Sequence, residues 1–404
     1  MSNKVVISGG ELSLPYIKNC DSVFDFLKSK KSVLSDKYLD REELIDFYNL
    51  NKNPDIIKVK DTGKEMYGKI KKLIDDALNN AGVTKEEIKN NRTNIYISGQ
   101  GLRADLSNFQ GFYDKNDIED VNYTPSIKKL HSIEYSQDML SKNLFDDYHL
   151  EWPPITLYNA SNSALMAVNI GFNDIKENNF DIVIIVSWTD VLLQDIAFMD
   201  NQNMLASIFS QPFSKYSDGV ILSDGYAVLI LENMSLAKKR NKKNFIVINS
   251  IVFNQNFSIR NIGGYSFNFS TISKTILSAL EFANYSPCQI GAIFIHGNGS
   301  INSDKSEEMA ILNVFNEMTD IPILSYKGQI GYVSNCSGII DLMIIAKSLQ
   351  ENSLIPSTSN CYLNDQSNLN FLSDEDVVNY DRSPVLKIGL GMDGSIIAMV
   401  LNYE

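Results

Sequence analysis

The chain has 404 residues, 44% of them hydrophobic and 21% charged, with a formal net charge of -13. That length exceeds one ordinary core and predicts two domains or two fused halves, while the acidic balance argues against nucleic acid and anionic membrane as partners. Four scattered cysteines, Cys20, Cys288, Cys336 and Cys361, have neither metal-ligand spacing nor the density of a disulfide framework, so reduced thiols are expected.

The first residues, Met-Ser-Asn-Lys-Val-Val-Ile-Ser, read as an opening strand instead of a cleavable signal. With no uninterrupted apolar window of about 18 residues, a soluble, cytoplasmic protein is expected. Short runs rich in Val and Ile follow at Val5 to Ser8, Asn94 to Ser98, Ile182 to Val186, Ala227 to Leu231, Phe245 to Ile248, Ala292 to Ile295 and Ile396 to Leu401. They lack alternation, as strands buried on both faces do. Between them lie helical patterns such as Lys64 to Ala81, apolar at Met66, Ile70, Leu73, Ile74 and Leu78. Strand and helix in alternation argue α/β layers. The run Lys238-Lys239-Arg240, then Lys242-Lys243, reads as a solvated helix end before a strand, with contact to an acidic partner as the alternative. Asn-x-Ser/Thr triplets, such as Asn91-Arg92-Thr93, read as chance matches in an Asn-rich chain.

Two segments echo each other. Ser161-Asn162-Ser163-Ala164 opens the apolar stretch Leu165 to Phe172, and Ser334-Asn335-Cys336-Ser337-Gly338 opens Ile339 to Leu349. Small-residue loops entering apolar helices at corresponding places suggest an internal duplication. The boundary is expected near residues 233 to 250, giving halves at 1–245 and 246–404. Residues from about 102 to 152 read as an irregular insertion.

Five segments carry the functional reading: Ala160-Ser161-Asn162-Ser163 with a following Leu-x-Ala-Val pattern; Pro212-Phe213-Ser214-Lys215-Tyr216-Ser217-Asp218-Gly219 with Asp224-Gly225; His296-Gly297-Asn298-Gly299-Ser300 with Asp304 and Glu307; Lys327-Gly328-Gln329-Ile330-Gly331-Tyr332; and Gly389-Leu390-Gly391-Met392-Asp393-Gly394. In this order and spacing they resemble the β-ketoacyl synthases of the thiolase superfamily. The resemblance implies a thiolase fold of two pseudo-repeated α/β/α/β/α halves with buried central helices. It also implies an active site in which a cysteine carries the acyl chain and two histidines drive decarboxylative condensation. Here the matching positions hold Ser161, His296 and Tyr332, so only the first histidine is retained. Serine is a poor nucleophile without an adjacent base, and a phenol lacks imidazole's ready proton exchange near neutrality. Asp304 and Glu307 are expected to brace the histidine loop, and Lys327, which keeps the family's spacing to the second histidine position, is expected to pair with Glu307. Leu390 stands where the family has a gating phenylalanine, and Met392 with Asp393 disturbs the glycine-rich turn. Cys336, in a small-residue run before a buried helix, reads as a packing residue. His131 and His149 read as ordinary loop or interface residues.

This pattern of losses is most similar to a chain-length factor, the non-elongating partner of a ketosynthase in type II polyketide or aryl-polyene assembly, although those subunits often carry glutamine at the nucleophile position. The resemblance implies an active ketosynthase as heterodimer partner and an acyl carrier protein whose phosphopantetheine arm delivers the acyl chains, with no metal and no resident cofactor. The insertion and the strand near Ile182 to Ser187 are expected to build the interface, with Phe109, Phe112, Tyr113 and Tyr135 as candidate tunnel residues. The rival reading is an acyltransferase or hydrolase of carrier-bound thioesters using Ser161 with His296 as base. A stand-alone decarboxylase is a third, disfavoured by loss of the second histidine.

Overall fold

The structure is a computed structural model describing residues 3–59, 66–99, 101, 103, 137–207, 210–240, 242–256, 267–316, 320–357, 369–372 and 376–404. Its core is one ten-stranded sheet: β1 (Val5–Ser13), β2 (Thr93–Ser98), β3 (Ile155–Leu157), β4 (Ile182–Thr189), β5 (Gly225–Asn233), β6 (Ile246–Gln255), β7 (Ala292–Phe294), β8 (Ile323–Leu324), β9 (Val385–Leu390) and β10 (Ser395–Tyr403), in the spatial order β8-β7-β9-β10-β6-β1-β5-β4-β2-β3. Every Val/Ile run named above falls on one of these strands.

The order conceals a repeat. Outward from the centre, each half places its first strand, then its fifth, fourth, second and third. In both halves the first two pairings outward are antiparallel and the last two are parallel. The halves join where Val5, Val6 and Ile7 of β1 pair with Ile248, Val247 and Ile246 of β6. The helices obey the same repeat. Between first and second strands lie α1 (Met66–Ala81) and α3 (Phe269–Ala283); between third and fourth lie α2 (Ser163–Lys176) and α5 (Ser337–Glu351).

α1 is amphipathic and covers the sheet with Ile70, Leu73, Ile74, Ala77, Leu78 and Ala81. α5 has no polar face over its first ten residues, since Ser337 through Ala346 are buried without a break. This helix is therefore the middle of the molecule. It lies so close to α2 that a Cβ on Gly338 would stand 2.3 Å from Leu165 Cγ, so the crossing requires glycine.

Three expectations need correction. The strand at Ile182 to Ser187 is not available as an interface, because β4 is hydrogen-bonded on both sides, to β2 and β5, and buried throughout. The open edge of that half is β3, where Ile155 is 45% exposed. The insertion is not wholly irregular, since Gln137–Asp147 is helical; Phe109, Phe112, Tyr113, Tyr135 and His131 lie outside the described residues. The basic run does end a helix (Met234–Lys239), but Arg240 is not solvated: its guanidinium lies between Glu232 and Glu87. Among the described residues no helix is long and apolar enough to cross a membrane.

Candidate functional site

The site forms where the loop before α2 meets loops from the other half. On leaving β3 the chain turns through Ala160, at φ +43°. The Asn159 N–H donates to Ser163 Oγ (2.8 Å), which donates to the Ala160 carbonyl (2.7 Å). Two asparagines tie the turn to the glycine-rich loop of the C-terminal half. Asn162 Nδ2 donates to the carbonyl and hydroxyl of Ser395 at 3.0 and 2.9 Å, and Asn159 Nδ2 donates to Asp393 at 2.7 Å. Ser161 is thereby aimed into a cavity of about 370 Å³ whose walls include Thr189, Phe198, Leu222, Tyr332 and Met392. A bidentate Arg103–Asp195 pair, at 2.9 and 2.8 Å, also lines it.

The histidine loop leaves β7 and is held by α4 (Ile301–Phe315). Asp304 and Glu307, three residues apart, share one face of that helix. The two carboxylate oxygens of Glu307 accept the N–H groups of His296 (2.6 Å) and Gly297 (2.9 Å). Those of Asp304 accept the N–H groups of Phe213 (2.9 Å) and Asn298 (3.2 Å). Burial raises both acids, Asp304 to about 7, against the pull of these amides. The segment Ser210 to Gly219 closes the other side, Ser210 Oγ donating to the Asn298 carbonyl at 3.1 Å and Ser217 Oγ to the Gly299 carbonyl at 2.9 Å.

Lys327 does not pair with Glu307. Its ammonium reaches Asp341 on α5 at 3.2 Å, and a second buried ammonium, that of Lys387 on β9, reaches the same oxygen at 2.6 Å while donating to the Ile295 carbonyl at 3.1 Å. Glu307 is already occupied by the backbone, whereas Asp341 projects from an apolar helix whose only way to satisfy a carboxylate is a cation. Burial first, then the Lys327 and Lys387 charges, hold the His296 imidazole well below its ordinary pKa, so it is neutral at physiological pH.

Tyr332 links the two loops. Its hydroxyl hydrogen-bonds Ser161 Oγ, and its ring stands edge-on to the His296 ring at 6.0 Å between centroids. Burial pushes the phenol up to about 12, so it stays protonated near neutrality. Leu390 is not at this cavity; it packs in the core with Phe213 and Ile295, while Met392 reaches the cavity wall. Cys336 is enclosed, its thiol donating to Ser187 Oγ at 3.1 Å, and burial pushes it up to about 12. His149 lies in a turn after Gln137–Asp147, away from the cavity walls.

The sequence reading missed Lys387, Asp341 and the Arg103–Asp195 pair. A signal existed for the first two. A lone lysine in Val385-Leu386-Lys387-Ile388 and a lone acid in Ile339-Ile340-Asp341-Leu342 each interrupt a run that must be buried, and buried charges seek one another. Among the described residues no group of three or more His, Cys, Asp or Glu side chains is placed to hold a metal.

Two halves of identical strand order around buried helices, with the site at their junction, define a thiolase-like ketosynthase fold. The chain belongs to the β-ketoacyl synthase family: residues 70–237 match its N-terminal domain and residues 247–361 its C-terminal domain. Polyketide synthase PksL of Bacillus subtilis (strain 168) is 26% identical over 289 residues, which are 69% of this chain but 6% of PksL. Among solved structures, the ishigamide ketosynthase/chain length factor superposes with a TM-score of 0.81 at 16% identity, covering 100% of this chain and 99% of that one. A type II polyketide ketosynthase in complex with its acyl carrier protein (AntDE:AntF) gives 0.81 at 17% identity, over 100% and 99%. At such identities the superpositions speak for the fold.

Proposed function

We propose that this chain is a non-elongating ketosynthase-like subunit, a chain-length factor that pairs with an active ketosynthase in polyketide assembly and completes its tunnel. The carrying observation is the contact of Tyr332 with Ser161. Condensation needs an ionisable nucleophile and two imidazoles that donate to the thioester carbonyl and the forming enolate. Here the nucleophile position is a hydroxyl, its hydrogen-bond partner is a phenol that stays protonated, and the remaining imidazole adjoins the phenol ring. The same contact weakens the acyltransferase or hydrolase reading, which requires a base on Ser161; a protonated phenol is none.

The similarity to a ketosynthase/chain length factor and to a ketosynthase with its carrier supports a ketosynthase partner and a carrier-delivered acyl chain. In this reading the chain has no resident cofactor, and the open β3 edge, with Trp152 and Tyr158 51% and 59% exposed beside it, is the surface offered to the partner.

The test is co-expression with a candidate ketosynthase partner, then mass spectrometry of the carrier protein after incubation with acyl and malonyl carriers. A 1:1 complex that elongates, beside an inert purified chain, is expected. A ketoacyl product from the single chain would overturn the proposal, as would a stable homodimer that no ketosynthase disrupts.

A further inference from the structure

A second cavity, of about 480 Å³, lies at the seam between the halves. It arises from the strand register. β1 pairs with β6 only from Val5 to Ile7, and a register shift between Ile7 and Gly9 then turns β1 along β5 alone, so beyond Ser8 the two half-sheets part. The floor of the gap is the C-terminal part of α5, with Met343, Ala346 and Lys347. At 1.5 Å rise per residue, Ala346 lies roughly 13 Å along the helix axis from Ser337, and Asn335, which lines the Ser161 cavity, lies in the turn before that residue. The two spaces are separate.

The walls are unlike the rest of this acidic chain. Lys347 is neutralised by Asp21 (2.9 Å) and Glu351 (3.2 Å). Lys242 is half-buried and donates one hydrogen bond, at 2.5 Å, to the Ser8 carbonyl where β1 loses its neighbour. Among the described residues no carboxylate pairs with Lys242 or Lys243, and an ammonium with one acceptor retains two N–H donors. A partly desolvated ammonium whose nearby acid, Glu232, is not in contact with it is a costly arrangement that a bound anion relieves. Burial draws Lys242 below its ordinary pKa; the Glu232 carboxylate pulls it back up and the Arg240 charge pushes it further down. The lining also includes the apolar side chains of Phe245, Met343 and Ala346 among polar ones such as Asn80 and Gln350, and the volume is in the range of small-molecule sites.

We propose that this cleft binds a small amphiphilic anion, its carboxylate or phosphate head held by Lys242 and Lys243 and its aliphatic body lying against Phe245, Met343 and Ala346. The probes are hexanoate and hexyl phosphate, one for each source of the head, with hexanol as the same body without charge, titrated calorimetrically into the full chain. Saturable binding of at least one anion is expected, with hexanol at least tenfold weaker; the tighter anion identifies the head. Lys242→Gln/Lys243→Gln should weaken the anion at least tenfold, as should Met343→Trp, which fills the cleft, whereas Met392→Trp, which fills the Ser161 cavity, should leave it unchanged. Should the double variant not fold, Lys243→Gln at the exposed position replaces it, with an expected loss of at least threefold. Equal affinity for hexanol, no saturable binding of either anion, unaltered binding in the lysine variant, or loss in Met392→Trp would each overturn the proposal.

Discussion

The serine loop and the histidine loop approach the same point from opposite halves under different constraints. Ser161 sits on a turn fixed by its neighbours Asn159, Ser163 and Asn162, and its own hydroxyl hydrogen-bonds Tyr332. His296 sits where each surrounding amide is held by a buried acid and where two ammoniums share one carboxylate behind it. A side chain that only performs chemistry can be exchanged with little effect on folding. Groups that hold buried amides and charges cannot, because removing one strands its partners. The contrast predicts large effects of substitution behind the histidine and small ones at the serine.

The largest effect belongs to Asp341. Asp341→Ala leaves the Lys327 and Lys387 ammoniums buried without their shared partner, and breaking such a buried pair costs about 3–5 kcal/mol. Urea denaturation should show that loss, and Asp341→Ala combined with Lys387→Met should recover part of it. Equal stability of wild type and Asp341→Ala would remove the contrast between the loops.

Next is the reciprocal exchange at the site. If only chemistry has been removed from a retained frame, Ser161→Cys with Tyr332→His should accept an acyl group from a carrier at least ~10²-fold faster than wild type, within the range a positioned proton-transfer group supplies. Intact-protein mass spectra over time measure it. An inert but folded double variant would mean the frame itself has shifted.

Much of the frame was legible because burial writes itself as unbroken Val/Ile runs, and seven of the ten main-sheet strands announce themselves that way. β3, β8 and β9 did not. β3 and β8 are two or three residues long, and β9 carries Lys387, whose charge disguises a buried strand until Asp341 is known to face it. The site positions were legible by motif spacing, but their partners were not. Spacing put Lys327 near Glu307, whereas the fold directs that carboxylate to the His296 and Gly297 amides and brings Asp341 across from α5. Which acid meets which cation depends on how α4, α5 and β9 are placed around Lys327, and no local sequence records it. For the same reason Ile182 to Ser187 is a sheet strand and not an interface: a Val/Ile run marks burial but does not say whether a sheet or a partner provides it.

A pH-dependent effect tests the acids that brace the histidine loop. Asp304 titrates near 7 in the folded chain and about 3.9 unfolded. Between those values the native state binds the extra proton, so this group's contribution to stability falls as pH rises, by up to ~1.4 kcal/mol per unit. His296, with its pKa lowered in the fold, acts in the opposite sense as pH falls below its unfolded value. The Asp304 contribution is therefore read as a difference. Wild type should lose stability relative to Asp304→Asn from about pH 4 to pH 7, and parallel curves would show that Asp304 is ionised throughout.

The smallest expected effect is at Ser161 itself. Ser161→Ala removes one partner of the Tyr332 hydroxyl, and the net value of such a hydrogen bond is about 1 kcal/mol. The cost should be lower still, because the phenol borders a cavity of about 370 Å³ that admits water to replace the lost oxygen. Polyketide output of the complex with a ketosynthase should then match wild type in both amount and length, since no acyl transfer passes through the hydroxyl. A carrier-derived adduct on wild type that disappears in Ser161→Ala but persists in Cys336→Ala would reverse this expectation. It would show that the serine is acylated despite its protonated partner, and the acyltransferase reading would replace the scaffold.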